Sequence, residues 1–347
     1  MSGAASEALD AAAVHAWLGA RVPDLGATLP EVTQYAGGAS NWTYRLKYPT
    51  HDFVLRRPPA GTKAKSAHDM GREFRVQSAL RPVYPYVPEM IAFCDDAAVL
   101  GCDFYVMKRI PGPIPRARMP KEITLDAAQT RALCLATIDK LVELHAVDVD
   151  ATGLAQLGKG PGYAKRQIDG WTGRYAKART WNVPRFTRVT AWLAAHTPAD
   201  TAACLIHGDF RFDNVVLDER DPTRVVGVLD WEMSTIGCPL MDLGNSLAYW
   251  VQADDDWFGQ KMRRQPTHLP GMLTRAEVVA YYAERSGRTV ENWPFYEVYG
   301  LFRLAAILQQ IYYRYHHGQT KNPAFRWFWA MVHYLHRRCL RAIREAS

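Results

Sequence analysis

Ile206-His207-Gly208-Asp209-Phe210-Arg211-Phe212-Asp213-Asn214, followed by Val228-Leu229-Asp230-Trp231-Glu232, is the part of the sequence that decides the fold. The first stretch has the frame H-x-D-x-x-x-x-N and leads into a predicted strand at 214–217. The second closes the next predicted strand, with Asp230 sixteen residues after Asn214. Phosphoryl transfer needs a carboxylate beside the attacking hydroxyl, plus an amide oxygen and a second carboxylate on hard divalent cations. Asp209 on a loop, Asn214 just beyond it and Asp230 at a strand end supply those three groups in order. Magnesium takes such oxygen ligands and completes its shell with water and substrate phosphates.

Outward from these stretches the chain changes texture near residue 110. Before it lie β-like runs at 31–36, 41–48, 52–57 and 103–109, rich in Val, Thr, Tyr and Phe and bounded by Gly, Pro or Asp. One helical segment at 66–80 interrupts them. After Pro111-Gly112-Pro113 the pattern turns helical, with Thr124 read as the N-cap of a helix ending at His145. Further helices are expected at 163–178, 185–195, 240–253, 274–286, 291–315 and 324–345. Strands at 214–217 and 225–229, joined by the turn-rich 218–223, read as a hairpin. The expectation is an α+β chain with a small β-rich N-terminal lobe, residues 1–108 with a helical leader at 1–25. A larger, mainly helical lobe covers 109–347, and a ligand cleft is expected between the two.

Composition closes off other classes. With 48% hydrophobic and 22% charged residues over 347 positions, the chain reads as neither disordered nor low-complexity. Lys and Arg exceed Asp and Glu by 42 to 35, a diffuse +7 that suits an anionic small ligand at least as well as nucleic acid. The six cysteines form no C-x-x-C pair, so neither a disulfide scaffold nor a zinc site is indicated, and a reducing cytoplasm is the expected setting. No secretory signal and no spanning segment is read; the apolar stretch 295–315 is interrupted by Glu297, Arg303 and Arg314.

Taken as a pair, the H-G-D and D-W-E stretches resemble the aminoglycoside phosphotransferase and choline kinase branch of the protein-kinase-like superfamily. The run Gly-Gly-x-Ser-Asn, then V-L-R-R-P-P, then R-E-F-R-V, is similar to a subgroup related to the kinase-like domain fused to some acyl-CoA dehydrogenases. That resemblance implies a bilobal kinase-like fold, ATP and Mg²⁺ as cofactors, and Asp209 as the catalytic carboxylate with Asn214 and Asp230 on metal. It also implies a phosphate-covering turn at 37–41, using Gly38, Ser40 and Asn41. Arg56 stands where family members often carry Lys, on the strand that contacts the α/β-phosphates. Arginine keeps the charge and grips phosphate bidentately, but with a different geometry. Glu73 would orient Arg56 as an ion pair. The main chain of Lys108 and Ile110 would meet the adenine edge with Met107 behind it. His207 is read as holding the loop, Asp242 as bracing it, and Cys238 falls where many relatives have Asp.

Several of these residues have plainer readings. The 37–41 turn is also what an ordinary hairpin has, Glu73 suits a solvated helix face, and 104–112 by itself is a plain strand. For the acceptor, residues from 241 onward carry 14 Lys or Arg against 9 Asp or Glu, a poor lining for a polycation. Asp254-Asp255-Asp256, the acidic run there, reads as a solvated loop. Aminoglycosides are therefore expected to be poor substrates, and a hydroxy acid or a hydroxyacyl thioester of coenzyme A is expected instead. Two rival classes stand beside this reading. A catalytically silent nucleotide-binding module draws support from Arg56, and a nucleic-acid binder only from the basic pI. No membrane partner is expected, and the sequence leaves the oligomeric state open.

Overall fold

The computed structural model describes residues 9–35, 41–59, 69–199 and 203–346. The contacts divide the chain into two units: residues 1–112 with 226–232, and residues 113–225 with 233–347.

The first unit is built on a five-stranded sheet in the order β1-β2-β3-β5-β4, every pairing antiparallel. Its strands are β1 (Glu31–Gln34), β2 (Trp42–Lys47), β3 (Asp52–Arg57), β4 (Met90–Cys94) and β5 (Phe104–Lys108). Helices α1 (Ala11–Gly19), α2 (Met70–Leu80) and α3 (Ala97–Leu100) accompany it. Alternation along β3 decides what reaches the site. Phe53 and Leu55 join Phe104 and Val106 of β5 in a core with Val14, Trp17 and Leu18 of α1. Val54 faces the other way, with Tyr105, Met107 and Met70 of α2. Arg56 shares the parity of Val54, so it too faces the α2 side. Leu55 is fully buried, and truncating it to Ala should cost about 2–5 kcal/mol.

The second unit is helical: α4 (Ala127–His145), α5 (Tyr163–Ala178), α6 (Thr187–Ala195), α7 (Pro239–Ala248), α8 (Trp257–Met262), α9 (Arg275–Ser286), α10 (Trp293–His316) and α11 (Phe328–Glu345). Three-residue strands β6 (Cys204–Ile206) and β9 (Thr235–Gly237) pair antiparallel and flank the H-G-D loop. The cap of α4 is Asp126 rather than Thr124. Its carboxylate accepts from the Gln129 N–H at 2.8 Å while the Gln129 side chain accepts from the Asp126 N–H at 3.0 Å. Helix α10 packs on α7, α11 and α5. At its crossing with α7, Gly244 and Gly300 are required: a Cβ on either would overlap a backbone carbonyl of the facing helix. The predicted hairpin strands fall at β7 (Val215–Leu217) and β8 (Val225–Val228), with the Asp218 N–H donating to the Arg224 carbonyl at the turn.

Candidate active site

Three carboxylates of the first unit converge on one guanidinium. Arg56 Nη1 lies 3.4 Å from Glu73 Oε2, and Nη2 lies 3.1 Å from Asp230 Oδ1 and 3.4 Å from Glu232 Oε2. Burial works against the Arg56 charge, but Tyr105, Glu73, Asp230 and Glu232 outweigh it and raise its pKa. Glu73 accepts from the Tyr105 hydroxyl at 2.8 Å and from the Asn41 amide at 3.3 Å; Asn41 also donates to Glu232 at 3.2 Å. Burial raises the Glu73 pKa, and Arg56 and Tyr105 only partly offset it. Asp230 has φ of +70°, a left-handed conformation costly for any residue but glycine and tolerated best by Asp and Asn. Trp231 is core: fully buried, its indole N–H donates to the Val228 carbonyl at 2.9 Å and its ring meets Tyr84 edge-on.

Met107 is buried in the core facing α2. The Lys108 N–H donates to the Glu89 carbonyl at 2.8 Å, so it belongs to the sheet and is not available to an adenine edge. The main chain of Ile110, one residue beyond the last strand contact, forms no hydrogen bond among the described residues. Gly38 and Ser40 lie outside the described residues.

In the second unit the H-G-D loop hangs from one buried acid. Asp242, in the first turn of α7, accepts from the His207 N–H at 2.8 Å, the Gly208 N–H at 2.9 Å and His145 Nε2 at 3.2 Å. Burial pushes the Asp242 pKa up, but the bonds from His145 and His207 outweigh it, and the carboxyl sits below its ordinary range. Burial holds the His145 pKa below its ordinary value despite Asp242. Gly208 has φ of +81°, and a Cβ there would come 2.8 Å from the Met233 carbonyl, so only glycine fits. Its carbonyl accepts from Arg303 Nη2 at 2.8 Å. The His207 ring, fully buried, accepts the Asp209 N–H at 3.3 Å, which gives it a loop-holding position. The side chain of Cys238 does not cap α7.

Asp209 emerges from this frame with one oxygen engaged. Its Oδ2 lies 3.0 Å from Arg211 Nη2 and 3.4 Å from Asn214 Nδ2, while Oδ1 accepts nothing among the described residues. Asn214 also donates from Nδ2 to the Asp209 carbonyl at 2.9 Å, which leaves its amide oxygen without a donor among the described residues. Arg211 was missed in the sequence. It pairs with Asp209 and Asp213, and stacks 4.6 Å from the centre of the Tyr249 ring. Burial opposes its charge, yet Asp209, Tyr249 and Asp213 raise its pKa. The available signal was a lone cation inside a five-residue loop bearing two aspartates.

The acidic run at 254–256 is consumed by structure. Asp255 holds Arg275 through two bonds of 2.6 and 2.8 Å, Asp256 caps α8, and Asp254 accepts from the Gln252 side chain.

A small antiparallel sheet unit with a larger helical unit, an H-G-D loop and a D-W-E turn defines a kinase-like phosphotransferase fold. Residues 31–296 match the phosphotransferase enzyme family (APH), and the chain belongs to that family. It is 34% identical over 324 residues to acyl-CoA dehydrogenase family member 11 of Rattus norvegicus, covering 90% of this chain but 40% of that protein. The crystal structure of a "putative aminoglycoside phosphotransferase" of Ralstonia eutropha superposes with a TM-score of 0.82 at 29% identity, covering 97% of this chain and 99% of the other. The spectinomycin phosphotransferase APH(9)-Ia, solved with ADP and spectinomycin, shares the fold with a TM-score of 0.61 at 13% identity, over 95% of this chain and 98% of its own. Among the described residues no helix is long and apolar enough to cross a membrane.

Proposed function

We propose that the chain transfers the γ-phosphate of ATP to a hydroxyl of a small organic molecule. The bond from the γ-phosphorus to the β,γ-bridging oxygen breaks, a bond to the acceptor oxygen forms, and the hydroxyl proton passes to Asp209. The observation that carries this reading is the state of Asp209: its loop is fixed by Asp242, one oxygen is held by Arg211 and Asn214, and Oδ1 is left over. A general base placed in this way contributes about 10²–10⁴ in rate. Arg56, oriented by Glu73, is assigned to the phosphates, with Asn41, Gly38 and Ser40 on the covering turn. Met107, the Lys108 carbonyl and Ile110 are assigned to the adenine side.

The donor set fits magnesium. The unengaged amide oxygen of Asn214 and the carboxylate of Asp230 are hard oxygen ligands, and in the first unit three acids share a single guanidinium. When bound, Mg²⁺ would neutralise charge on the transferring phosphate.

For the acceptor we propose a hydroxy acid or a hydroxyacyl-CoA. The rat relative bears an acyl-CoA dehydrogenase name, and the acidic run that a polycation would seek is tied to Arg275, Gln252 and the α8 cap. A silent nucleotide-binding module is the second reading, favoured by the contact of Arg56 with the proposed metal ligand Asp230. The test is incubation with Mg-ATP and a panel of hydroxy acids, hydroxyacyl-CoAs, choline, sugars, homoserine and kanamycin, read by mass spectrometry. A phosphorylated hydroxy acid or acyl-CoA is expected. Kanamycin turned over as fast as any other acceptor would overturn the acceptor class, and Mg-ATP binding without any phosphorylated product would favour the silent module.

A further inference from the structure

A second basic site lies in the helical unit, between α5 and α10. Arg174 and Lys177 are three residues apart on α5, and Gln310, Tyr313 and Arg314 follow at helical spacing on α10, so each set lies on one face of its helix. The two helices pack together, and these residues with Ala178 line a cavity of ≈ 320 Å³. Three of the six lining residues are cationic and none is a carboxylate. Arg275, by contrast, is matched by Asp255, and Arg211 by Asp209 and Asp213. Arg174, Lys177 and Arg314 form no ion pair among the described residues. Burial lowers the Arg174 pKa; Tyr299 opposes the shift and the nearby Arg303 adds to it.

A relay of side-chain contacts links Arg174 to the H-G-D loop. The Arg174 guanidinium lies 3.9 Å from the centre of the Trp171 ring, and that of Arg303 lies 5.3 Å from it. Arg303 in turn donates to the Gly208 carbonyl at 2.8 Å. Arg303 and Arg314 are eleven residues apart, close to three full turns, so they share a stripe of α10 and stand about 16 Å apart along its axis.

We propose that this groove binds a phosphate or pyrophosphate group. Two planar guanidinium forks and an ammonium in one open groove match a multiply charged, tetrahedral oxyanion better than a single carboxylate. The site stands on the second unit alone and does not depend on the transfer reaction. Its phosphate comes either from a free inorganic anion or from a small organic phosphate ester.

The test is calorimetric titration of the full chain with inorganic pyrophosphate, without divalent metal, in wild type and in Lys177→Ala/Arg314→Ala. Both residues are exposed and neither touches the H-G-D loop. The double variant should bind at least tenfold more weakly, and Lys177→Arg/Arg314→Lys should retain most of the affinity. An exposed control cation, Arg344→Ala, should leave it unchanged. Equal pyrophosphate affinity in wild type and the double variant overturns the site, as does an equal loss in Arg344→Ala. Inorganic phosphate and glycerol 3-phosphate distinguish the sources: tighter ester binding assigns an organic carrier, tighter inorganic binding a free anion. Either result supports the site only when the double variant weakens it at least tenfold.

Discussion

Asp242 in the helical unit and Glu73 in the sheet unit are both almost wholly buried carboxylates, and their pKa values move in opposite directions. Burial is the largest influence on each and pushes both up. Asp242 receives two short main-chain N–H bonds and the His145 ring, which stabilise its charged form and bring it below the ordinary range. Glu73 receives a tyrosine hydroxyl, an asparagine amide and a guanidinium at 3.4 Å that is shared with two other acids. The difference teaches what each cluster is for. A carboxylate satisfied by backbone donors is a finished structural part that fixes a loop; three carboxylates converging on the Arg56 guanidinium gather negative charge in one place, where an incoming cation gains most.

The sharpest way to break this contrast is Asp242→Ala. It leaves the His207 and Gly208 N–H groups buried and unpaired, and unfolding should become easier by about 3–5 kcal/mol in a denaturant titration. A loss below about 1 kcal/mol would mean that the loop does not hang from Asp242.

The pH dependence of stability is next in size. His145 has a folded pKa below its ordinary value of about 6.5, so between those values the unfolded chain binds the proton and the native chain does not. Its contribution is therefore complete above about pH 6.5 and lost as the pH falls, with a slope of at most about 1.4 kcal/mol per pH unit for one proton. Asp242 also has a depressed folded pKa, so its contribution is lost in a more acid window, as the pH falls through that value. Melting temperatures from pH 8 to pH 5 should decline for wild type and decline less for His145→Gln.

Glu73→Gln should have a smaller effect. The amide oxygen can keep the Tyr105 bond while the unfavourable buried charge is removed, so stability should shift by less than about 1 kcal/mol. Arg56 loses a partner, and the KM for ATP should rise more than kcat falls. A destabilisation as large as that of Asp242→Ala would erase the distinction between the two acids. Smallest of all, Asp254→Ser removes only an exposed contact to Gln252 and should stay within about 0.5 kcal/mol by the same titration.

Much of this contrast was readable from the sequence. The β3 span and α5 fall where alternation and helical periodicity put them, and α9, capped by Thr274, falls within the expected 274–286. The motif spacing brought forward Asp209, Asn214 and Asp230, and the resemblance added Glu73 and Asp242. Other features were not legible, for physical reasons. β4 is short and mostly half-buried, so it lacks alternation. β6 and β9 are three residues each, too few for any period to register. Thr124 and Asp126 are equally good caps by residue type, and only the reciprocal bond with Gln129 separates them. Arg211 reads as a solvated charge until the fold buries it between two aspartates. Nothing local to 226–232 shows that this stretch belongs with the first unit, because that depends on packing against distant residues such as Tyr84 and Tyr86.

The most direct measurement is ADP release by wild type and Asp209→Asn with Mg-ATP and the pooled hydroxyl acceptors, alongside the melting temperature of each. The substitution touches neither Asp242 nor the core, so melting should be nearly unchanged while acceptor-dependent turnover falls by about 10²–10⁴. Turnover in Asp209→Asn equal to that of wild type would contradict the assignment of Asp209 as the base.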